Sequence, residues 1–287
     1  MSSSIAKLRA RLLRGLMSGI SRLAPGPTGR SLARRFVTPG AAGRRQAAAI
    51  AATLTDVQQQ TLRIDGIDIA VYQWGDPAQQ PYVLLSHGWA SYGLRFAAWV
   101  PQLRARGYAV LAFDQAAHGL SSGKISNMPH FVKMLRQIGE RFGRPAVFIG
   151  HSLGAASVVF ADAPAWRPSR YVLIAPLLAP AASAQRQFRA FGIAPGAFVP
   201  FENWLIQITG KRFADFDATA YLPHFDRPAL IIHDRRDRET PWEEGARFAA
   251  LWPGAQLFST EGLGHNRMVD HASVIARALE FIGPASG

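Results

Sequence analysis

Among the side chains able to do chemistry, Ser152 has the most informative neighbours, in Gly150-His151-Ser152-Leu153-Gly154. Ahead of it, Pro145-Ala146-Val147-Phe148-Ile149 is a short apolar run with β-branched and aromatic members, which reads as a buried strand. Behind it, Ala155-Ala156-Ser157-Val158-Val159-Phe160-Ala161 has no breaker and reads as a helix. A strand that passes straight into a helix through Gly-x-Ser-x-Gly holds its serine at the tip of a strained turn, clear of the sheet. The flanking glycines remove side chains that would collide across that turn. At the helix start, the backbone N–H of Leu153 points toward whatever Ser152 attacks. A serine hydroxyl is a poor nucleophile at neutral pH, so a base must take its proton. Of the eight histidines, His265 is the candidate: Gly262-Leu263-Gly264-His265-Asn266 is a Gly-rich loop from which a ring can lean over a sheet edge.

The elements that must position these groups follow from the rhythm of the chain. Leu62 to Trp74 alternates on both sides of Asp65-Gly66 and reads as a hairpin. Apolar strands are then expected at Tyr82–Leu85, Ala109–Phe113, Ala146–Ile149, Tyr171–Ala175, Ala229–Ile232 and Gln256–Ser259. Helices fit near residues 93–105, 128–142, 153–163, 242–252 and 270–282. Repeated βα units with unbroken apolar strands predict an α/β fold, a mostly parallel central sheet with helices on both faces.

With the Gly-x-Ser-x-Gly turn in this context, the chain resembles the α/β-hydrolase fold family over about residues 61–287. The resemblance implies an acid a few residues beyond the strand that ends near Ile232, just ahead of a proline. In His233-Asp234-Arg235-Arg236-Asp237-Arg238-Glu239-Thr240-Pro241, Asp237 matches best, Asp234 is second and Glu239 third. The order Ser152, Asp237, His265 is the family's order. His87-Gly88-Trp89 matches its oxyanion signature, which implies that the N–H groups of Trp89 and Leu153 form the hole. Asp114 to Ser121 resembles a family loop that supports the site without doing chemistry. By resemblance the chain is a serine hydrolase of the carboxylesterase/lipase-like branch. Its substrate would be a small ester or thioester with an apolar acyl or alcohol group, cleaved without metal or cofactor. A peptidase of the proline-aminopeptidase-like branch and a non-catalytic ligand-binding scaffold are the alternatives.

Residues 177–226 interrupt the βα alternation with Phe188, Phe191, Phe198, Phe201, Trp204, Phe213, Phe216, Tyr221 and Phe225 among prolines. The family commonly inserts a cap at this place, and so many aromatics in one connection predict a cap that walls an apolar pocket.

The charge balance bounds the partners. The net charge is +13 at pH 7, but residues 1–55 hold ten Lys/Arg and no acid before Asp56, which leaves the body nearly neutral and argues against nucleic acid. Cysteine is absent, which removes disulfides and thiolate chemistry together. In the first of three segments, residues 1–35, Ile5, Leu8, Leu12, Leu13, Leu16, Met17, Ile20 and Leu23 recur at helical spacing. Lys7, Arg11, Arg14 and Arg22 lie opposite, while Arg9 breaks the apolar face. This basic amphipathic helix is open to three readings: packing on the domain, contact of residues 5–23 with an anionic membrane, or organelle targeting. Residues 36–60 are a low-information lead-in to the domain at 61–287, and a cytoplasmic location is expected.

Overall fold

The computed structural model describes residues 2–285, with the side chains of residues 2–7 and 10 outside that description, so the apolar and cationic roles expected of Ile5 and Lys7 lie outside the described residues. The strands are β1 Gln58–Ile64, β2 Ile67–Trp74, β3 Tyr82–Ser86, β4 Ala109–Phe113, β5 Val147–His151, β6 Arg170–Ile174, β7 Ala229–Asp234 and β8 Gln256–Thr260. The helices are α1 Ser2–Leu23, α2 Pro25–Phe36, α3 Ala41–Ala51, α4 Val100–Arg104, α5 Met128–Phe142 and α6 Leu153–Ala161. They continue as α7 Pro180–Phe191, α8 Phe198–Thr209, α9 Trp242–Leu251, α10 Gly264–Arg267 and α11 Ala272–Ile282. None among the described residues is long and apolar enough to cross a membrane. The chain divides into two compact units, Met1–Thr38 with Ala179–Asp217, and Pro39–Leu178 with Ala218–Gly287.

The larger unit is an eight-stranded sheet in the order β1-β2-β4-β3-β5-β6-β7-β8. The Asp65-Gly66 turn has positive φ at both residues, 47° and 81°, the mirror-image turn whose twist suits a two-residue hairpin. β2 pairs antiparallel with β4, and from β4 onward every pairing is parallel. β3, β4, β5 and β7 are buried along their whole length, which is why they carry apolar side chains on both faces. Alternate residues divide the faces. Val83, Leu85, Val110, Ala112, Val147, Ile149, Val172 and Ile174 pack with Trp99 and Leu103 and with Val274, Ile275, Ala278 and Leu279 of α11. On the opposite face Tyr171 meets Phe148, Phe225 and Trp252.

β1 starts four residues earlier than the expected hairpin, at Gln58, and its polar residues are exposed. An edge strand pairs through its backbone and needs no apolar side chain to do so. The lead-in at 36–60 carries more structure than expected. Ala47 of α3 enters the core, and Arg44 donates to the carbonyls of Ser121 and Gly123 at 3.0 and 3.2 Å.

The smaller unit joins the N-terminal helices to the 177–226 insertion, a pairing the sequence expectation lacked. Ala33, Val37, Ala184, Phe188, Ile193, Ala197, Phe201 and Leu205 form its core. Phe198, Phe201, Phe213 and Phe36 contact one another ring to ring at 5.3–6.1 Å, so these aromatics serve as core. Of the aromatics expected to wall a pocket, Phe188, Phe198, Phe201, Trp204 and Phe213 pack within this unit, while Phe191 is exposed. The residues that belong to this unit end at Asp217, while Ala218 and Leu222 are buried with the sheet.

α2 and α8 approach closely at Gly29, where an added Cβ would lie 2.8 Å from the Phe201 nitrogen and 2.9 Å from Pro200 Cβ. Backbone cannot yield there. Gly29→Ala should therefore destabilise the protein by about 1–3 kcal/mol despite alanine's better helix propensity, a loss readable as a lower Tm. An unchanged or raised Tm would mean that the two helices are not packed this tightly.

Candidate active site

β5 ends at His151, and Ser152 follows with φ 51° and ψ −120°, a conformation costly for any residue with a side chain. Its N–H donates to Ile174 O at 2.8 Å, and α6 begins at the next residue. The two glycines of the motif are needed for close approach. A Cβ at Gly154 would press on the Ser86 and His87 carbonyls, and one at Gly150 would lie 2.7 Å from Ala155 Cα. The loop after β3 crosses beside the serine: a Cβ at Gly88 would lie 3.0 Å from Ser152 Cβ. Trp89 follows in that loop. Leu153 belongs to the first turn of α6, where no helical carbonyl takes its N–H. Among the described residues, four of the five non-glycine residues with positive φ, Ala90, Ala117, Ser152 and Ala175, lie just beyond the C-terminal ends of β3, β4, β5 and β6. Strain therefore concentrates at one end of the sheet, where parallel α/β folds bind ligands.

At that same end, beyond β7 and β8, the structure brings Asp237 and His265 together. His265 Nδ1 is 2.7 Å from Asp237 Oδ2, with both residues buried. The other carboxylate oxygen accepts the N–H groups of Glu239 and Thr240 at 2.8 and 2.9 Å. Burial alone would raise the Asp237 carboxyl. The bonds from His233, His265 and the Thr240 N–H outweigh it and hold the group well below the usual carboxylate range. An ionised acceptor at this distance places the His265 proton on Nδ1.

The two other acids are occupied elsewhere. Asp234 accepts Thr260 Oγ1 and the Leu263 N–H on one oxygen, at 2.8 and 2.9 Å. Its second oxygen takes the Arg236 and Gly262 N–H groups at 2.9 and 3.2 Å. Glu239 Oε1 accepts Asn266 Nδ2 at 2.8 Å.

Two histidines that the sequence did not single out complete the surroundings. His233 lies with Nε2 3.0 Å from Thr240 O and 3.3 Å from Asp237 Oδ2, so that nitrogen faces two acceptors and carries the proton. Its room is made by Gly245, whose Cβ would collide with the ring. The i, i+4 spacing of His233 and Asp237 was the available signal. His151 lies against His265 at 4.7 Å between centroids with the rings tilted by 47°, and its Nε2 is 3.1 Å from His265 O. Burial, then the neighbouring His265, lowers its pKa far below that of a free imidazole, so it stays neutral.

Under the loop after β3, His87 accepts the Gln115 N–H on Nε2 at 3.0 Å and donates from Nδ1 to Gly88 O at 2.7 Å. Both nitrogens are thus committed in the neutral ring, and burial lowers its pKa to about 4. His118, 5.2 Å from it, is lowered to about 3 by burial and then by His87. Asp114 accepts the Gly93 and Leu120 N–H groups at 2.6 and 2.7 Å and the Tyr72 hydroxyl at 2.7 Å, which ties the next loop to β2.

The sequence model of the Alpha/beta hydrolase family matches residues 83–278. The bifunctional esterase/perhydrolase of Acinetobacter calcoaceticus is 25% identical over 264 residues, covering 75% of this chain and 95% of that protein. The non-heme haloperoxidase of Rhodococcus erythropolis is 28% identical over 268 residues, covering 76% and 97%. An esterase from Exiguobacterium antarcticum superposes with a TM-score of 0.60 at 14% identity, covering 78% of this chain and 99% of the esterase, a likeness of fold.

The buried neutral rings set the acid limit of stability. An unfolded histidine titrates near about 6.5, whereas folded His87 and His118 hold out to about 4 and about 3. Between these values the unfolded chain binds more protons than the native one, so stability falls as pH falls. Urea-unfolding free energy should be level above pH about 7 and drop between about 6.5 and about 4, less steeply in His118→Asn. Stability that rises on acidification through this window would contradict neutral burial.

Proposed function

We propose that this chain, which belongs to the alpha/beta hydrolase family, is a serine esterase that splits a small ester or thioester through an acyl-enzyme. The observation that carries the reading is the 2.7 Å bond between buried Asp237 and His265, in the same unit as a serine held in a strained strand-to-helix turn. Ser152 Oγ attacks the carbonyl carbon while His265 Nε2 takes its proton. Asp237 holds Nδ1–H and stabilises the imidazolium that forms. The N–H groups of Trp89 and Leu153 receive the oxyanion, each worth about 10²–10³ in rate. His265 then returns the proton to the leaving alcohol or thiol, and water, deprotonated by the same nitrogen, releases the acid. No step calls for a metal or organic cofactor. The side chains of Trp89, Leu153 and Leu263, half-buried beside these groups in the chain, favour an apolar acyl or alcohol group. The names of relatives support the chemistry: one is an esterase/perhydrolase, and another, 26% identical, is a pimeloyl-[acyl-carrier protein] methyl ester esterase.

Ser152 should label with a fluorophosphonate, and Ser152→Ala should lose both labelling and hydrolysis of p-nitrophenyl butyrate while keeping its Tm. Equal labelling of the variant would remove the nucleophile assignment. An unlabelled wild type that still binds esters would favour the binding scaffold, and faster cleavage of a prolyl amide would favour the peptidase.

The two aspartates separate by readout. Asp237→Asn should lower kcat by about 10⁴ in protein that remains folded, because an amide no longer fixes the imidazole tautomer. Asp234→Asn should lower Tm, since an amide nitrogen faces N–H donors where a carboxylate oxygen stood. The reverse ranking of kcat losses at full folding would move the acid to Asp234.

A further inference from the structure

The apolar face of α1 is exposed. Leu8, Leu12, Leu13, Leu16, Ile20 and Leu23 are 45–90% exposed. At about 100° per residue they fill an arc of about 140° around the helix. The helix is held instead by its other side. Ser21 is fully buried, its Oγ 2.9 Å from the Ala194 N–H, and Arg14 donates to Arg189 O at 3.3 Å. Met17, on the same side, packs against the core of the smaller unit. An amphipathic helix that packs through serine and methionine and presents six aliphatic side chains to solvent is inverted relative to an ordinary surface helix.

The charge of the same unit identifies what suits that stripe. Residues 1–38 and 179–217 carry twelve Lys/Arg against three Asp/Glu, whereas the rest of the chain is nearly balanced. Arg11 and Arg22 border the stripe on one side, Arg9 stands within it, and all three are exposed. Arg30, Arg34 and Arg35 of α2 are exposed in the same unit. Long arginine stems can lie along apolar surface while their heads reach outward. A continuous aliphatic face edged by cations fits a surface that is apolar beneath an anionic layer. A protein partner with an apolar groove would match the leucines without accounting for the cations. We propose that the leucine stripe of α1 docks this protein in the plane of a bilayer rich in anionic phospholipid, as a peripheral contact that does not span it. The proposal stands apart from the catalytic reading, and no group assigned to hydrolysis takes part.

Truncation is a poor test, because α2 supplies Ala33 and, just beyond it, Val37 to the core of the unit. The full chain and Leu12→Gln/Leu16→Gln, both at positions at least 60% exposed, are therefore compared by co-sedimentation with vesicles. The full chain should bind phosphatidylglycerol–phosphatidylcholine vesicles at least about tenfold more tightly than pure phosphatidylcholine. The double variant should bind the anionic vesicles at least about tenfold more weakly, with unchanged Tm and ester hydrolysis. Raising salt from about 0.05 M to about 0.5 M should weaken binding severalfold and leave a residual apolar contribution. Equal binding by the variant, or equal binding to neutral vesicles, would overturn the proposal. So would absence of vesicle binding in a full chain that dimerises in solution and becomes monomeric on the double substitution, since the stripe would then meet a second copy.

Discussion

The Asp234 carboxylate fixes the geometry on which the candidate site depends. It ends β7 and accepts donors from its own turn, from β8 and from the loop leading to His265. Burial opposes its charge, but the Thr260 hydroxyl and the Leu263 and Arg236 N–H groups prevail and keep it ionised below its ordinary range. The Asp237 N–H is in turn held by the Asp234 carbonyl at 3.1 Å. One residue thus sets the spacing between the loop that carries Asp237 and the loop that carries His265. The 2.7 Å contact between Asp237 and His265 requires both loops to be placed to within a few tenths of an ångström. Charged acceptors with several N–H donors are suited to that, because each bond is strong and directional.

Close approach is the complementary constraint on the serine side. Gly88 and Gly154 let the loop after β3 and the start of α6 share space that any side chain would fill. The strain at Ser152 and Ala90 is sustained because the surrounding strands are buried and paired on both sides. Neutral His87, with both ring nitrogens committed, stiffens that loop from below.

What the sequence made legible was local. The Asp65-Gly66 hairpin, the apolar strands and the strand–Ser152–helix turn each announce themselves within a dozen residues, and all appear in the structure at or within a few residues of the expected positions. His265, singled out by its glycine frame, lies against Asp237 in the structure. The choice among Asp234, Asp237 and Glu239 rested on resemblance, since three acids within six residues differ only in the donors that surround them after folding. His233 and His151 were missed as neighbours of Asp237 and His265 for the same reason. The pairing of residues 1–38 with 179–217 was hidden by its long separation along the chain and by the kind of contact it uses. Gly29, Ala33 and Ala197 mediate it, and small residues leave no periodic apolar signal.

That hidden pairing also explains why the apolar face of α1 is not the side that packs. Periodicity reports which residues prefer to leave water, not which of the available apolar environments receives them. In α1 the tertiary contacts use the narrow side around Met17 and Ser21, so the leucines remain outside the core. An exposed aliphatic face this continuous ordinarily drives association of like chains. The concentration of cations in the same unit opposes that outcome, because two copies approaching face to face would bring like charges together. The same cations favour approach to a surface of opposite charge. Charge and apolar area on this unit therefore act in opposite directions on self-association, the leucines drawing copies together and the cations holding them apart.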